Sequence, residues 1–242
     1  HTRETYLGRV MFRVLSMDPN NGPANLIWNR IAGRKAPVEL KRPGPADAPD
    51  WAVWAREALR GFHEVNDWWL TNRLNSDGLI GGPLNDDIEF TCMWPREFLI
   101  TGDLRIRDAL RKVADVYWDF NRGAGYCTTG MADVEHAAED YSCSQPPVLL
   151  VDYGHPLYVE RMMKMSQYVP FWTAINEVGN RQFRSYKFTT DRIGTGPKED
   201  VDNAYCAGAM VGLGHLVWYA DIPEASRWFL EEAESWRKAA MS

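Results

Sequence analysis

Three acidic triplets, each following a glycine-bearing loop and each starting a helical pattern, constrain the fold of this chain more than any other feature. Each of the three helical patterns ends at a short turn that opens a second helix, so the chain repeats a unit of helix, tight turn, helix and long loop. The triplets are Asp87-Ile88-Glu89, Asp133-Val134-Glu135 and Asp200-Val201-Asp202.

A ring of such helical hairpins is an α/α toroid, in which alternate helices form the inner wall and their connecting loops gather at one mouth. We therefore expect a mainly α fold that is an incomplete α/α toroid, or barrel, with the three triplets facing the same opening. The helical patterns are too few for a complete ring. This predicts that the chain is a fragment of a larger protein and contacts the other parts of that protein.

The first 48 residues differ from the rest. Residues 6–15 alternate β-branched and aromatic side chains, residues 18–23 form a strong turn signal, and residues 41–49 are rich in proline. Helical spacing of apolar residues begins at Trp51. The expected organisation is a β-rich tail or extended linker over residues 1–48, followed by a toroid segment over 49–242.

The most elaborate loop runs from Asn75 to Glu89 and holds three glycines and a proline before the adjacent acids Asp86 and Asp87. Aspartate is a preferred N-cap, and Asp86 with Glu89 fits a capping box. A single cap does not require two acids after such a loop. We therefore also expect Asp86, Asp87 and Glu89 to line a substrate cleft.

The charge and aromatic content narrow the partners. A formal net charge of −6 argues against a nucleic-acid or anionic-membrane surface. No apolar run approaches the roughly 20 residues that cross a bilayer. The 11 tryptophans and 10 tyrosines exceed what a core alone demands and suit flat, partly polar ligands such as sugars.

The four cysteines contain no C-x-x-C pair, which argues against a structural zinc site. Three disulfide pairings are open, and the sequence chooses none of them. Because three of the cysteines occupy apolar helical contexts, we expect free thiols. They are Cys92, Cys127, Cys143 and Cys206.

Candidate catalytic residues follow the second and third triplets. His136 and Asn203 would occupy matching places near the mouth if the units are equivalent. Glu139 and Asp140 lie three and four residues after His136, where a carboxylate can orient an imidazole and tune its pKa. A structural histidine is the competing interpretation. Phenols lie close in sequence at Tyr141 and Tyr205.

Arginines and tryptophans supply candidate binding groups. Arg73 and Arg161 are able to bind carboxylates with two hydrogen bonds, although each would also suit a local ion pair. Trp69 and Trp94 are candidate sugar-binding surfaces. No P-loop, G-x-S-x-G, H-E-x-x-H or G-x-G-x-x-G motif is present, so the common nucleotide, hydrolase and zinc-protease motifs have no support.

Four strings together resemble carbohydrate-active α/α-toroid enzymes, and among these the chain is most similar to polysaccharide lyases that act on uronic-acid polymers. The resemblance covers roughly residues 50–242. The strings are W-W-L-T-N-R at 68–73, D-G-L-I-G-G-P-L-N-D-D-I-E-F at 77–90, D-V-E-H-A-A-E-D at 133–140 and L-L-V-D-Y-G-H-P-L-Y-V-E-R at 149–161.

The resemblance implies β-elimination of a polysaccharide without a cofactor or metal. It implies His136 as base or as neutraliser of the substrate carboxylate, Asn203 as neutraliser, and Tyr141 or Tyr205 as proton donor. Proton abstraction next to a carboxylate needs both a base and donors that stabilise the developing enolate. We expect a secreted or periplasmic protein.

Two alternatives stay open. The acids expected at the mouth would repel a polyanion unless they bind hydroxyls, arginine or a cation. Paired carboxylates are instead what a glycoside hydrolase needs, and Asp86, Asp87, Glu89 and Glu139 would then be catalytic. The other alternative is a sugar-binding domain without catalysis.

Overall fold

A computed structural model describes residues 2–32, 44–80, 88–124, 134–185, 187–194 and 205–241. Over these ranges the protein is mainly helical, with one two-stranded sheet among the described residues. The predicted mainly α class is confirmed. None of the helices within the described ranges combines the length and the apolarity that crossing a bilayer requires.

The N-terminal segment forms two helices, α1 (Thr2–Met17) and α2 (Gly22–Ile31). The prediction of a β-rich or extended lead-in is therefore wrong for these residues. The predicted turn between them is present, and the side chain of Asn21 caps α2 by accepting from the amide of Ala24 at 3.0 Å. Short apolar stretches fit both the two-residue period of a strand and the 3.6-residue period of a helix. Here the contact between α1 and α2, with the Phe12 and Trp28 rings 6.4 Å apart, favours the helix.

The chain divides into two compact units between Gly61 and Phe62. This division falls inside the long helix α3 (Asp50–Asn72), whereas the predicted boundary between residues 48 and 49 precedes that helix. The second unit holds the segments that carry the candidate site residues.

Three helical hairpins build most of the second unit, in the predicted order of helix, turn and helix. Their buried apolar side chains, which include Trp94, Leu110, Tyr141 and Leu213, contribute most of its core. The helices are α4 (Trp94–Thr101) with α5 (Leu104–Phe120), α6 (Val134–Cys143) and α7 (Pro146–Val151) with α8 (Pro156–Ser166), and α10 (Cys206–Ala220) with α11 (Pro223–Met241).

The position of Pro95 accounts for where helix α4 begins. A 3-10 segment, Ile88–Met93, gives way to α4, in which Pro95 lies in the first turn. Proline is tolerated there because its missing amide would have no intrahelical partner. Gly102 then ends α4 in the left-handed conformation with φ 69°, and the Asp103 side chain caps α5.

The start of the glycine-rich loop is fixed against α5. The side chain of Asn75 accepts from the amides of Asp77 and Leu79 at 3.0 and 3.1 Å. Gly78 has φ +85°, and a β-carbon there would lie 2.8 Å from the carbonyl oxygen of Lys112. Glycine is thus required both for the turn and for the close approach of the two backbones.

A short hairpin follows the helix α9 (Val169–Trp172). Strand β1 (Thr173–Ile175) pairs antiparallel with β2 (Arg181–Phe183), with Thr173 opposite Phe183. The side chains of residues 182–189 alternate in a pattern typical of a strand or hairpin. Among the described residues of this stretch, 182 and 183 belong to β2, and the partner strand β1 precedes the stretch.

Cys92 and Cys143 form a disulfide, which corrects the expectation that all the cysteines are free thiols. Sequence spacing could not identify this pair because 51 residues separate its members and the fold alone brings them together. The side chain of Cys206 is buried. Cys127 lies outside the described residues.

Candidate functional site

Helices α6 and α10 lie side by side and run in the same direction. A β-carbon at Gly208 of α10 would come within 2.8 Å of the Ala138 β-carbon on α6, and one at Gly212 would lie 3.2 Å from the Tyr141 ring. The contacts advance along both helices together, from 138 to 141 and from 208 to 212, as parallel helices require. The small residues at 138 and 208 permit this close approach.

This packing brings two of the predicted site residues to one end of the helix pair. His136 lies two residues before Ala138, and Tyr205 lies three residues before Gly208. Each is therefore displaced by about 3–5 Å along the chain axis, in the same direction, from the contact between Ala138 and Gly208. The side chain of His136 is partly exposed, and Tyr205 is 47% exposed. Asn203 was expected here too, and it lies outside the described residues.

Tyr141, the other predicted proton donor, lies in the core. Its side chain is fully buried, its hydroxyl is hydrogen-bonded to the Ser166 hydroxyl at 2.9 Å, and its ring meets Trp172 edge to face at 5.6 Å. A phenol held this way joins α6 to α8 and has no access to a polymer. Of the two tyrosines, the structure leaves Tyr205 as the accessible one.

Ile88 of the first triplet lies near the C-terminal end of α6, away from His136. Ile88 belongs to a buried cluster with Cys143, and the Thr91 hydroxyl donates to the Cys143 carbonyl at 3.2 Å. Cys143 is seven residues, or about 10 Å along the helix, from His136. The expectation that all three triplets face one opening is therefore not met at Ile88. Glu89 is exposed beside it, and Asp86 and Asp87 lie outside the described residues.

The aromatic and arginine candidates next to the glycine-rich loop form a stack. The guanidinium of Arg73 lies over the Trp69 ring at 5.5 Å, and Trp69 packs on Phe90 at 4.6 Å. Trp94 meets Phe90 edge to face but is fully buried. The predicted role of Trp94 as a sugar-binding surface is therefore wrong, because its ring has no exposed face. Trp69 is half-buried at the edge of this core.

The side chain of Arg161 is held by contacts with neighbouring side chains of the protein. Its guanidinium pairs with Asp115 at 2.5 Å and lies between the rings of Trp118 and Tyr158 at 5.0 and 5.4 Å. Burial raises the pKa of the Tyr158 phenol to about 12, and the nearby Asp115 carboxylate adds to the effect. These contacts join α5 to α8, so the predicted substrate-binding role of Arg161 gives way to a structural one.

A third cluster was not anticipated from the sequence. The carboxylate of Glu97 on α4 is buried, with the residue only 3% exposed, and both its oxygens are bonded to side chains of α3. One oxygen meets Nδ1 of His63 and the other accepts from the amide nitrogen of Asn66. His63 is partly exposed, so the cluster joins a buried acid to a solvent-accessible imidazole.

The surrounding charges favour the protonated form of this histidine. The hydrogen bond to Glu97 raises the pKa of His63, and the charges of Glu97, Asp67 and Asp103 act in the same direction. Arg105 bonds both Asp67 and Asp103, at 2.7 and 2.6 Å, and those two partners raise the pKa of its guanidinium.

One signal for this cluster was present in the sequence. His63 and Asn66 are three residues apart on an amphipathic helix and therefore share a face. Their partner Glu97 lies 34 residues from His63, in a different helix, so spacing alone could not have identified it.

Within the described ranges no group of three or more histidine, cysteine, aspartate or glutamate side chains is arranged to hold a metal ion. Two accessible histidines within the described ranges are candidates for acid–base chemistry: His63, which is bonded to Glu97, and His136, which like Tyr205 lies at the shared end of α6 and α10. Comparison of the chain with protein-family models, with curated proteins and with solved structures gave no significant match.

Proposed function

We propose that this protein is a polysaccharide lyase that cleaves a uronic-acid-containing glycan by β-elimination, with its reaction centre at the shared end of α6 and α10. The observation that carries the proposal is the parallel packing of these helices through Ala138 and Gly208. It supports the placement of His136 and Tyr205 at the same end of neighbouring helices, and we assign His136 the role of base and Tyr205 the role of acid.

The proposed reaction needs only these two proton-transfer groups and a carboxylate neutraliser. The His136 imidazole removes the proton from the carbon next to the uronate carboxyl group. The electron pair forms a carbon–carbon double bond as the bond to the glycosidic oxygen breaks, and Tyr205 gives its hydroxyl proton to that oxygen. Asn203 is the proposed donor to the carboxylate, whose developing enolate charge must be stabilised.

The proposed architecture is an incomplete α/α toroid in which α6 and α10 belong to the inner wall. In such a ring the inner helices are parallel and the outer helices return in the opposite direction. The parallel contact of α6 with α10, and the return of the chain through α8 and α11, are what support this arrangement.

Arg73 and Trp69 are proposed to meet the polymer near the glycine-rich loop. Arginine binds carboxylates with well-defined geometry, and its stacking on Trp69 holds the guanidinium in place before substrate arrives. A secreted or periplasmic setting fits a polymer substrate. The Cys92–Cys143 disulfide supports it, because disulfides persist in oxidising compartments.

Product analysis tests the reaction class. The protein is incubated with polymannuronate, polygalacturonate and hyaluronan, and the masses of the released oligosaccharides are measured by mass spectrometry. β-Elimination leaves an unsaturated end that lacks one water relative to a hydrolysis product. Saturated ends would overturn the lyase proposal in favour of a glycoside hydrolase, and uncleaved but bound glycan would indicate a sugar-binding domain.

A further inference from the structure

The turn between α7 and α8 and the last turn of α10 together expose an aromatic surface. Tyr153 is 62% exposed and Trp218 is 58% exposed, and their ring centroids are 5.2 Å apart at an interplanar angle of 74°. Tyr219 flanks them, with its ring centroid also 5.2 Å from that of Tyr153. We call these three residues the aromatic platform.

The platform is fixed in place by contacts on several sides. The Tyr153 hydroxyl donates to the carbonyl of Tyr219 at 3.4 Å, which joins the turn to α10. The neighbouring Asp152 accepts from Nε of Arg111 on α5 at 2.9 Å, and the backbone amide of His155 donates to the Asp152 carbonyl at 3.1 Å. Because these bonds hold Tyr153 and its turn, this part of the platform loses little conformational freedom when a ligand binds.

The size and chemistry of the platform fit a sugar chain better than a protein partner. Two large aromatic side chains offer at most about 300–500 Å² together, whereas one side of a stable protein interface covers about 800 Å². The phenol and indole rings combine apolar faces with polar edges, as sugar rings do. The Arg111–Asp152 ion pair next to them adds groups that bond hydroxyls.

The platform lies far from the proposed reaction centre. Thirteen residues of α10 separate Tyr205 from Trp218, which is about 20 Å along the helix. A single sugar at the centre would not reach this surface, whereas a polymer would.

We propose that the aromatic platform is a secondary glycan-binding site that holds the polymer substrate away from the reaction centre. The inference rests on the proposed function for the identity of the ligand, a uronic-acid-containing polysaccharide. The position of the rings implies that the platform contributes affinity for long chains.

Affinity electrophoresis in gels containing polymannuronate, polygalacturonate or hyaluronan tests the site. The variants W218A and Y153A should each bind the retarding polymer about three- to tenfold more weakly than the unsubstituted protein. W218F should retain part of the binding. W51A is the matched control, since Trp51 is 77% exposed and lies in the other compact unit. Circular dichroism confirms that each variant is folded.

The outcomes separate the two proposals. Retardation that falls in W218A and Y153A but not in W51A supports the platform, even if no cleavage product forms and the lyase proposal fails. Cleavage with unsaturated ends and equal retardation of all variants overturns the platform alone. Absence of both binding and cleavage overturns both. Concentration-dependent self-association that W218A abolishes, without any glycan binding, would show instead that the rings are a protein interface.

Discussion

Gly208 of α10 lies so close to Ala138 of α6 that a β-carbon added at position 208 would come within 2.8 Å of the Ala138 β-carbon and 3.0 Å of its carbonyl oxygen. The absence of a side chain at 208 thus sets the distance between the two helices that carry His136 and Tyr205. Stability and the proposed reaction both depend on this contact.

The first prediction concerns this contact. Alanine normally stabilises a helix relative to glycine by up to about 1 kcal/mol, but G208A should destabilise the protein by about 1–3 kcal/mol because the helices must separate. Urea unfolding measures the change. G61A is the control, because nothing lies within 4 Å of the added carbon on α3 and that substitution should be neutral or stabilising. Equal effects of the two substitutions would contradict the close packing.

The second prediction distinguishes the two tyrosines. Y205F should lower the rate of unsaturated product formation by about 10²–10⁴-fold, as expected for loss of a proton-transfer group, with little change in stability. Y141F should instead lower the free energy of unfolding by roughly 0.5–1.5 kcal/mol, because its hydrogen bond to Ser166 is lost. Steady-state rates and urea unfolding of both variants check this. The reverse pattern would place the acid at Tyr141.

The third prediction concerns the pH dependence that His63 confers. The hydrogen bond to Glu97 raises the pKa of His63 in the folded protein, so the folded state binds the imidazole proton more tightly than the unfolded state does. The added stability is therefore fully present below the unfolded pKa of about 6.5 and is lost as the pH rises through the folded pKa.

Urea unfolding should show that the free energy of unfolding falls as the pH rises from about 5.5 to about 9, the range over which a histidine with a raised pKa titrates. The substitution H63N should remove most of this fall. H155N is the control, since it also removes one imidazole. If stability depends on pH in H63N as it does in the unsubstituted protein, the bond between His63 and Glu97 does not stabilise the contact between α3 and α4.

The fourth prediction concerns the disulfide. Reducing Cys92–Cys143, or replacing both cysteines by serine, should lower the free energy of unfolding by about 2–4 kcal/mol, because the bond closes a loop of roughly 50 residues in the unfolded chain. Urea unfolding with and without a reductant measures this. A midpoint that does not respond to reductant would contradict the bond.

The helices were predictable where local signals agree. Gly102 and Asp103 mark the turn between α4 and α5, and Pro95 marks the start of α4, because each residue acts through its own backbone geometry or capping side chain. The N-terminal segment was misjudged because a few alternating side chains in residues 6–15 fit a strand, while packing of Phe12 on Trp28 favours helix.

The site was predictable only in part. His136 and Asn203 were proposed from their equivalent positions in repeated units, and Tyr205 because its phenol lies close to Asn203 in sequence. The exclusion of Tyr141 and Trp94 depends on burial, and the pairing of His63 with Glu97 depends on contact between helices far apart in sequence. Neither burial nor distant pairing leaves a local pattern.

The most direct test of the central claim is the ultraviolet absorbance of unsaturated uronate ends during incubation with polymannuronate, polygalacturonate and hyaluronan. With at least one polymer, the absorbance should rise steadily for the unsubstituted protein and by about 10²–10⁴-fold less for H136A, while H63A continues to form product. No rise with any polymer, or an equal rise with H136A, would contradict the assignment of β-elimination to the shared end of α6 and α10.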